Sequence, residues 1–262
     1  MDVTLNGARI HYERSGRGFP LLLIHAGIAD CRMWQPQAVA LAGDFDMIRP
    51  DQRGFGDSEL PPAPYSGVDD IVGLMDHLGV DRAHIVGCSM GGTLAIDFAL
   101  DHPERVSKLV LVGSGIGGAN FGKKYPELWA DVKAADEAHD LVALNQAEMK
   151  LFLAGPRRPV DAVDKRLRDL FLDMNATSMG SDFDSAPTDD LEPPAVERLG
   201  EISAPTLLVV GDEDVPPVLD CIELLMQEVK GARKVVIHDA AHLPNLEHPE
   251  EFNRLVLDFL LS

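Results

Sequence analysis

Basic residues are scarce in this chain: 23 Lys and Arg stand against 43 Asp and Glu, a formal net charge of -20. A field of that sign repels a phosphate backbone, so nucleic acid is excluded as an expected partner. It also disfavours strongly anionic small molecules unless local cations intervene. Cysteine is scarcer still. Cys31, Cys88 and Cys221 are odd in number and widely separated, with no Cys-x-x-Cys pair and no histidine cluster to complete a metal site. They read as reduced thiols, Cys88 as a small residue packed behind the turn that follows it, and no metal or other cofactor is expected. No apolar run approaches the length of a membrane helix, and Met1-Asp2-Val3-Thr4 has neither the basic nor the apolar region of a secretory leader. A cytoplasmic address without a membrane partner is expected. The acidic stretch Ser181 to Glu192 carries Asp182, Asp184, Asp189, Asp190 and Glu192 with no basic residue. It lacks the regular ligand spacing and central glycine of a calcium loop and reads as a solvated loop.

What is present suits one globular enzyme domain. The 262 residues, 45% of them hydrophobic and 25% charged, are enough to bury a sizeable core. A hairpin is expected from Val3 to Leu5 and Arg9 to Glu13 around Asn6-Gly7, then strands near Pro20 to Ile24, Asp46 to Arg49, Ala83 to Val86 and Val106 to Val112. Helices fit Met33 to Leu41, Val68 to Leu78 and Gly92 to His102 between them. From about Gly115 to Arg198 the alternation stops and helical tendency takes over, near Pro126 to Ala138, Leu141 to Ala154 and Val160 to Met174. The strand pattern resumes at Pro205, with Thr206 to Val210 and Lys234 to Ile237, and Pro249 to Leu261 reads as a last helix.

Chemistry concentrates at Gly87-Cys88-Ser89-Met90-Gly91, between an apolar strand and a helical segment. A serine at the tip of a tight strand-to-helix turn is held in a strained conformation, and glycines two residues to either side let strand and helix cross closely enough. A serine hydroxyl is a poor nucleophile until a base takes its proton. His242, in the loop after a late strand, is the expected base; His25, directly after Leu21-Leu22-Leu23-Ile24, is second and reads as a loop-ordering residue. The acid falls among Asp212, Glu213 and Asp214, which follow the strand Thr206 to Val210, and Asp214 is chosen. The order Ser, Asp, His is that of a nucleophile on an elbow of a parallel sheet.

These residues identify a resemblance to the α/β-hydrolase superfamily over nearly the whole chain. His25-Ala26-Gly27, with Trp34 downstream, resembles the family's oxyanion loop; Asp51 to Ser58 resembles its loop after the fourth strand; His242 to Pro249 is similar to the segment that carries its base. The resemblance implies an α/β fold, a mostly parallel twisted sheet flanked by helices. It implies Ser89 as nucleophile, Asp214 as acid, His242 as base, and the backbone N-H groups of Met90 and Gly27 as the oxyanion hole. It also implies a core of residues 1–114 and 199–262 with a helical cap, 115–198, over the site. His25, Trp34, Trp129, Met149, Phe152 and Leu153 are the candidate pocket residues.

Serine at position 89 disfavours the carboxylate-nucleophile branches, the haloalkane dehalogenases and epoxide hydrolases. The general expectation is hydrolysis of a small or medium carboxylic ester through an acyl-enzyme, as in a carboxylesterase. Lactonase, carbon-carbon bond hydrolase and perhydrolase chemistry use the same triad and stand as alternatives, as does a slow-turnover ligand sensor. The expected partner is a small ester or lactone, and oligomeric state is left open.

Overall fold

The computed structural model describes residues 1–189 and 191–262; Asp190, counted above in the acidic loop, lies outside the described residues. The chain opens with β1 (Asp2–Leu5) and β2 (Ala8–Gly16), an antiparallel hairpin in which Leu5 faces Ala8. Asn6 and Gly7 turn it with φ of 46° and 82°, the pair of left-handed residues that a two-residue turn needs to match strand twist. There follow β3 (Phe19–Ile24), α1 (Gln35–Leu41), β4 (Phe45–Pro50), α2 (Gly67–His77), β5 (Ala83–Cys88), α3 (Met90–Asp101) and β6 (Val106–Val112). Between β6 and the next strand lie α4 (Ala130–Glu137), α5 (Leu141–Glu148) and α6 (Lys165–Ala176) with short helical turns. The chain closes with β7 (Thr206–Gly211), α7 (Pro216–Glu228), β8 (Arg233–Ile237), α8 (Pro244–Glu247) and α9 (Pro249–Leu261).

Among the described residues the eight strands form one sheet in the order β1-β2-β4-β3-β5-β6-β7-β8, parallel from β4 to β8. Successive side chains of a strand point to opposite faces, and here both faces are buried, which is why the central strands are continuous apolar runs. Leu21, Leu23, Val110, Val112 and Val209 join a cluster with Phe252 and Val256 of α9. Leu22, Ile24, Leu109, Leu111 and Leu208 join a second one with Ile71 of α2, Ile96 of α3 and Leu225 of α7.

Among its described residues the helical segment after β6 builds no separate core. Met149, Leu153, Phe171 and Met174 belong to the same cluster as Trp34 and Phe252, and Arg32, beside α1, reaches Asp173 of α6 at 2.5 Å. Two of its helices depart from the expected runs. The stretch Leu141 to Ala154 is α for two turns and then widens to π geometry over Met149–Ala154. Val160 to Met174 is interrupted, because the Asp164 side chain accepts the Arg166 N-H and starts α6 afresh as its N-cap. The helix α7 is absent from the expected elements; it opens on Pro216-Pro217, and prolines suit the first turn of a helix, where their missing N-H groups would have no partner.

Candidate active site

Chain order reverses across the sheet at β3, since β4 adds on one side of it and β5 on the other. In an open parallel sheet, such a reversal leaves a crevice at the carboxyl ends of the strands. The sequence-selected residues all follow those ends: Gly27 after β3, Ser89 after β5, Asp214 after β7 and His242 after β8.

Ser89 has φ 53° and ψ -115°, a left-handed conformation that costs a non-glycine residue on the order of 1–3 kcal/mol. It is pinned from both sides. Its N-H donates to the Val112 carbonyl at 2.9 Å, and its own carbonyl accepts from Gly92 at 2.9 Å and Thr93 at 3.0 Å. The flanking glycines are sterically required: a Cβ on Gly87 would lie 2.3 Å from the Gly91 carbonyl oxygen, and one on Gly91 2.4 Å from the carbonyl oxygens of Ile24 and His25. Strand and helix cross at backbone contact, and the serine side chain is left half-buried at the crossing.

His242 and Asp214 are each 1% exposed, and His242 Nδ1 lies 2.9 and 3.0 Å from the two Asp214 carboxylate oxygens. That contact puts the proton on Nδ1 and leaves Nε2 with the lone pair a base needs. The Asp214 carboxylate is held in turn by the Val215 N-H at 2.7 Å. The competing acids have other partners. Asp212 meets the exposed His238 at 2.7 Å, and Glu213 meets Arg157 at 2.8 Å. Burial pushes the Asp212 carboxyl up, but the bonds from His238 and backbone N-H groups leave it below the ordinary carboxylate value.

Gly113, which sequence reasoning passed over, closes the arrangement. It follows Val112, the acceptor of the Ser89 N-H, and a Cβ there would sit 3.1 Å from both Asp214 Oδ2 and His242 Nδ1. Its φ of 49° favours glycine as well. Only a strand-terminal glycine hinted at it.

Gly27 and Met90 are neighbours across the β3 and β5 ends: a Cβ on Gly27 would lie 3.2 Å from the Met90 thioether. Met90 opens α3, where the first N-H groups lack intrahelical partners and the helix dipole favours negative charge. His25 is fully buried and orders loops. Its Nε2 accepts the Gln52 N-H at 2.9 Å, its Nδ1 lies 2.8 Å from the Ala26 carbonyl, and burial pushes its pKa down. Asp51 braces the same region by accepting the Cys31 and Asp57 N-H groups at 2.7 and 2.9 Å.

The expected pocket residues divide. Trp34, Met149 and Leu153 are core residues, at 0%, 5% and 1% exposure, and His25 is enclosed between the loops after β3 and β4. Met149 and Leu153 stand out in the sequence by size and apolarity, which core and pocket positions share. Phe152 and Trp129 form an aromatic pair that reaches His242: the Phe152 ring centroid is 5.1 Å from His242 and 6.2 Å from Trp129.

Asp30, Cys31 and Asp51 bring three potential metal-ligand atoms within 4.8 Å of one another. Both carboxylates are already engaged, Asp30 by Arg32 and Asp51 as above, and burial pushes the Cys31 thiol far up from thiolate formation. The cluster is a structural knot. All three cysteines are free and buried. No helix among the described residues is long and apolar enough to cross a membrane.

Comparison with known proteins agrees with this architecture. The α/β-hydrolase fold family model matches residues 20–249. The chain is 29% identical to 2-hydroxy-6-oxo-6-phenylhexa-2,4-dienoate hydrolase of Burkholderia cepacia, over 98% of this chain and 93% of that protein. It is 31% identical to 2-hydroxymuconate semialdehyde hydrolase of Pseudomonas putida, over 99% and 93%. The enol-lactonase from Burkholderia xenovorans LB400 superimposes with a TM-score of 0.80 at 28% identity, over 100% of both chains.

Proposed function

The chain belongs to the α/β-hydrolase fold family, and on that premise we propose that it hydrolyses a small carbonyl compound through Ser89, with His242 as base and Asp214 as the residue that orients it. The observations that support this are the Asp214 to His242 contact at 2.9 Å and a serine held at φ 53° after β5 of the same sheet. Ser89 Oγ attacks the carbonyl carbon while His242 Nε2 takes its proton. The Asp214 carboxylate fixes the tautomer and stabilises the imidazolium. The oxyanion forms against the N-H groups of Met90 and Gly27, each worth roughly 3 kcal/mol of barrier. Collapse expels the leaving fragment, which takes the proton from His242, and water then cleaves the acyl-enzyme by the same steps.

The relatives turn the substrate reading from simple esters toward carbonyl compounds whose leaving fragment departs as a conjugated enolate. In a 2-hydroxy-6-oxo-dienoate, moving the 2-hydroxyl proton to C5 gives a ketone. Breaking the C5-C6 bond then leaves an electron pair delocalised onto the C2 oxygen. In an enol-lactone the expelled oxygen is itself an enolate. The serine chemistry is common to both, and simple activated esters pass through the same acyl-enzyme.

The test is turnover of three sets, dienoate ring-cleavage products, enol-lactones and plain alkyl esters, by the wild type and Ser89→Ala. The expected result is faster cycling on the first two sets than on plain esters. Ser89→Ala should lose organophosphonate labelling and on the order of 10⁴ to 10⁶ in rate. Stoichiometric labelling of the folded mutant, or plain esters outrunning both other sets, overturns the assignment.

A further inference from the structure

We propose that a cavity between α2 and α3 is the subsite for the acyl fragment of the substrate, and that it selects a neutral aryl or alkyl group over one bearing a carboxylate. This rests on the hydrolytic reading above and adds the substrate class to it.

The cavity measures about 350 Å³, and none of Ser89, Asp214 and His242 lines it. Met90 is the residue that it shares with the site. Thr93, Leu94 and Asp97 follow Met90 along one face of α3 at helical spacing, and Val68, Ile71 and Leu74 of α2 form the opposing wall. Tyr65 and Thr188 also line it, and they pair as an isolated bridge: the Tyr65 N-H donates to the Pro187 carbonyl at 3.1 Å and the Asp189 N-H to the Tyr65 carbonyl at 2.9 Å. The segment between β6 and β7 thus supplies part of the enclosure.

Met90 connects this space to the chemistry. Its backbone N-H, if it holds the oxyanion, lies about 3 Å from an oxygen bonded to the acyl carbon. The acyl substituent therefore begins next to Met90. Met90 is 38% exposed and its side chain rests against Gly27, where any Cβ would crowd it at 3.2 Å. An unbranched thioether turns about its bonds more freely than any other large apolar side chain, so its rotation opens the cavity to the acyl group.

Size and charge set the class. A dry apolar cavity of about 150 Å³ accepts a benzene ring, so this one takes an aryl ring with a short linker or a chain of about six carbons. Asp51, Asp70, Asp97 and Asp189 are among its lining residues, against one cation among the described lining residues, Arg53. That guanidinium is committed: it meets both Asp70 oxygens, at 2.5 and 2.8 Å, and stacks over the Tyr65 ring at 4.9 Å. A carboxylate on the acyl group would lose its water here without gaining an opposite charge.

The experiment compares p-nitrophenyl acetate, hexanoate, benzoate and hemiglutarate, whose leaving group is constant, on the wild type, Leu94→Trp and Val68→Phe. The two variants fill the cavity from opposite walls, and circular dichroism reports folding. The wild type should favour hexanoate and benzoate over both acetate and hemiglutarate by at least about tenfold in kcat/KM. Each folded variant should cut the hexanoate-to-acetate ratio by about tenfold or more. If the wild type turns over no ester and Ser89 takes no phosphonate, the hydrolytic reading falls and the subsite with it. If esters are turned over but hemiglutarate matches hexanoate, or a folded variant keeps the parent ratio, the subsite alone is overturned.

Discussion

Phe152 meets His242 twice, once with its ring, at a centroid distance of 5.1 Å, and once with its carbonyl, which accepts the His242 backbone N-H at 3.0 Å. The imidazole is therefore braced by the Asp214 carboxylate at one edge and by an aromatic face from the segment between β6 and β7. That face sits on the π-wound stretch Met149–Ala154, the kind of helical irregularity that recurs at functional sites.

Replacing Phe152 by leucine keeps the backbone bond and removes the face. Looser imidazole placement should lower kcat by about tenfold to 10²-fold, since a displacement near 1 Å costs that much. Steady-state turnover with a thermal melt checks it. An unchanged kcat in a folded variant refutes the bracing role.

The two nearby aspartates are separated by their partners. Asp214→Asn should lose roughly 10⁴ in turnover, because an amide leaves His242 in the wrong tautomer. Asp212→Asn alters a carboxyl whose partners are the exposed His238 and backbone N-H groups, not His242, and should stay within a few-fold of the parent. Reversed losses in the same assay would move the acid to position 212.

Ser89, Asp214 and His242 could be singled out in the sequence because each follows a strand whose apolar run is unmistakable, and loops at the carboxyl ends of a parallel sheet share one crevice. The sheet itself was legible for the same reason, both faces being buried. Trp34 and Leu153 show the limit: a large apolar residue in a loop or insert looks the same in sequence whether it faces the core or a pocket. The cavity beside Met90 was invisible, since its walls come from α2, α3, Phe55 and Thr188, parts of the chain that only the tertiary fold assembles. Gly113 matters through a contact with two side chains that lie far from it in the chain.

Acid sensitivity should trace in part to His84. Burial, followed by the charges of Lys108 and Arg82, lowers its pKa from 6.5 to about 4, and its ring packs against Phe19 and Phe45 at 4.6 and 5.8 Å. The folded-state value lies below the unfolded one, so the unfolded chain takes up the proton first as pH falls. The contribution of His84 is full above about pH 6.5, declines by at most about 1.4 kcal/mol per pH unit toward pH 4, and levels off below it. Urea unfolding of the wild type and His84→Phe at pH 7 and 4.5 should show a smaller loss in the variant. Equal losses would exclude His84 as a source.

The segment between β6 and β7 should divide into residues that hold the fold and residues that choose the leaving fragment. Phe171 and Met174 are fully buried, with Met149 and Leu153 close to it, in the cluster that contains Trp34 and Phe252. Truncating any of them to alanine should cost about 2–5 kcal/mol, because a cavity is left where the core cannot collapse. In those that stay folded, the ranking of substrates should not change. Trp129 and Phe152 are half-buried, and their rings lead from solvent to His242, the group proposed to hand its proton to the departing fragment. Phe121 lies apart, partly buried against the cluster on the other face of the sheet, with Lys124 over its ring. With the acyl group held constant and the alcohol graded in size, Trp129→Ala should reorder the series by roughly 10 to 200-fold at one end while melting close to the parent. Phe121→Ala should leave the order alone. A Trp129→Ala enzyme that keeps the parent order, set beside a folded Leu153→Ala enzyme that loses it, would place leaving-group selection in the core cluster and not on the aromatic path.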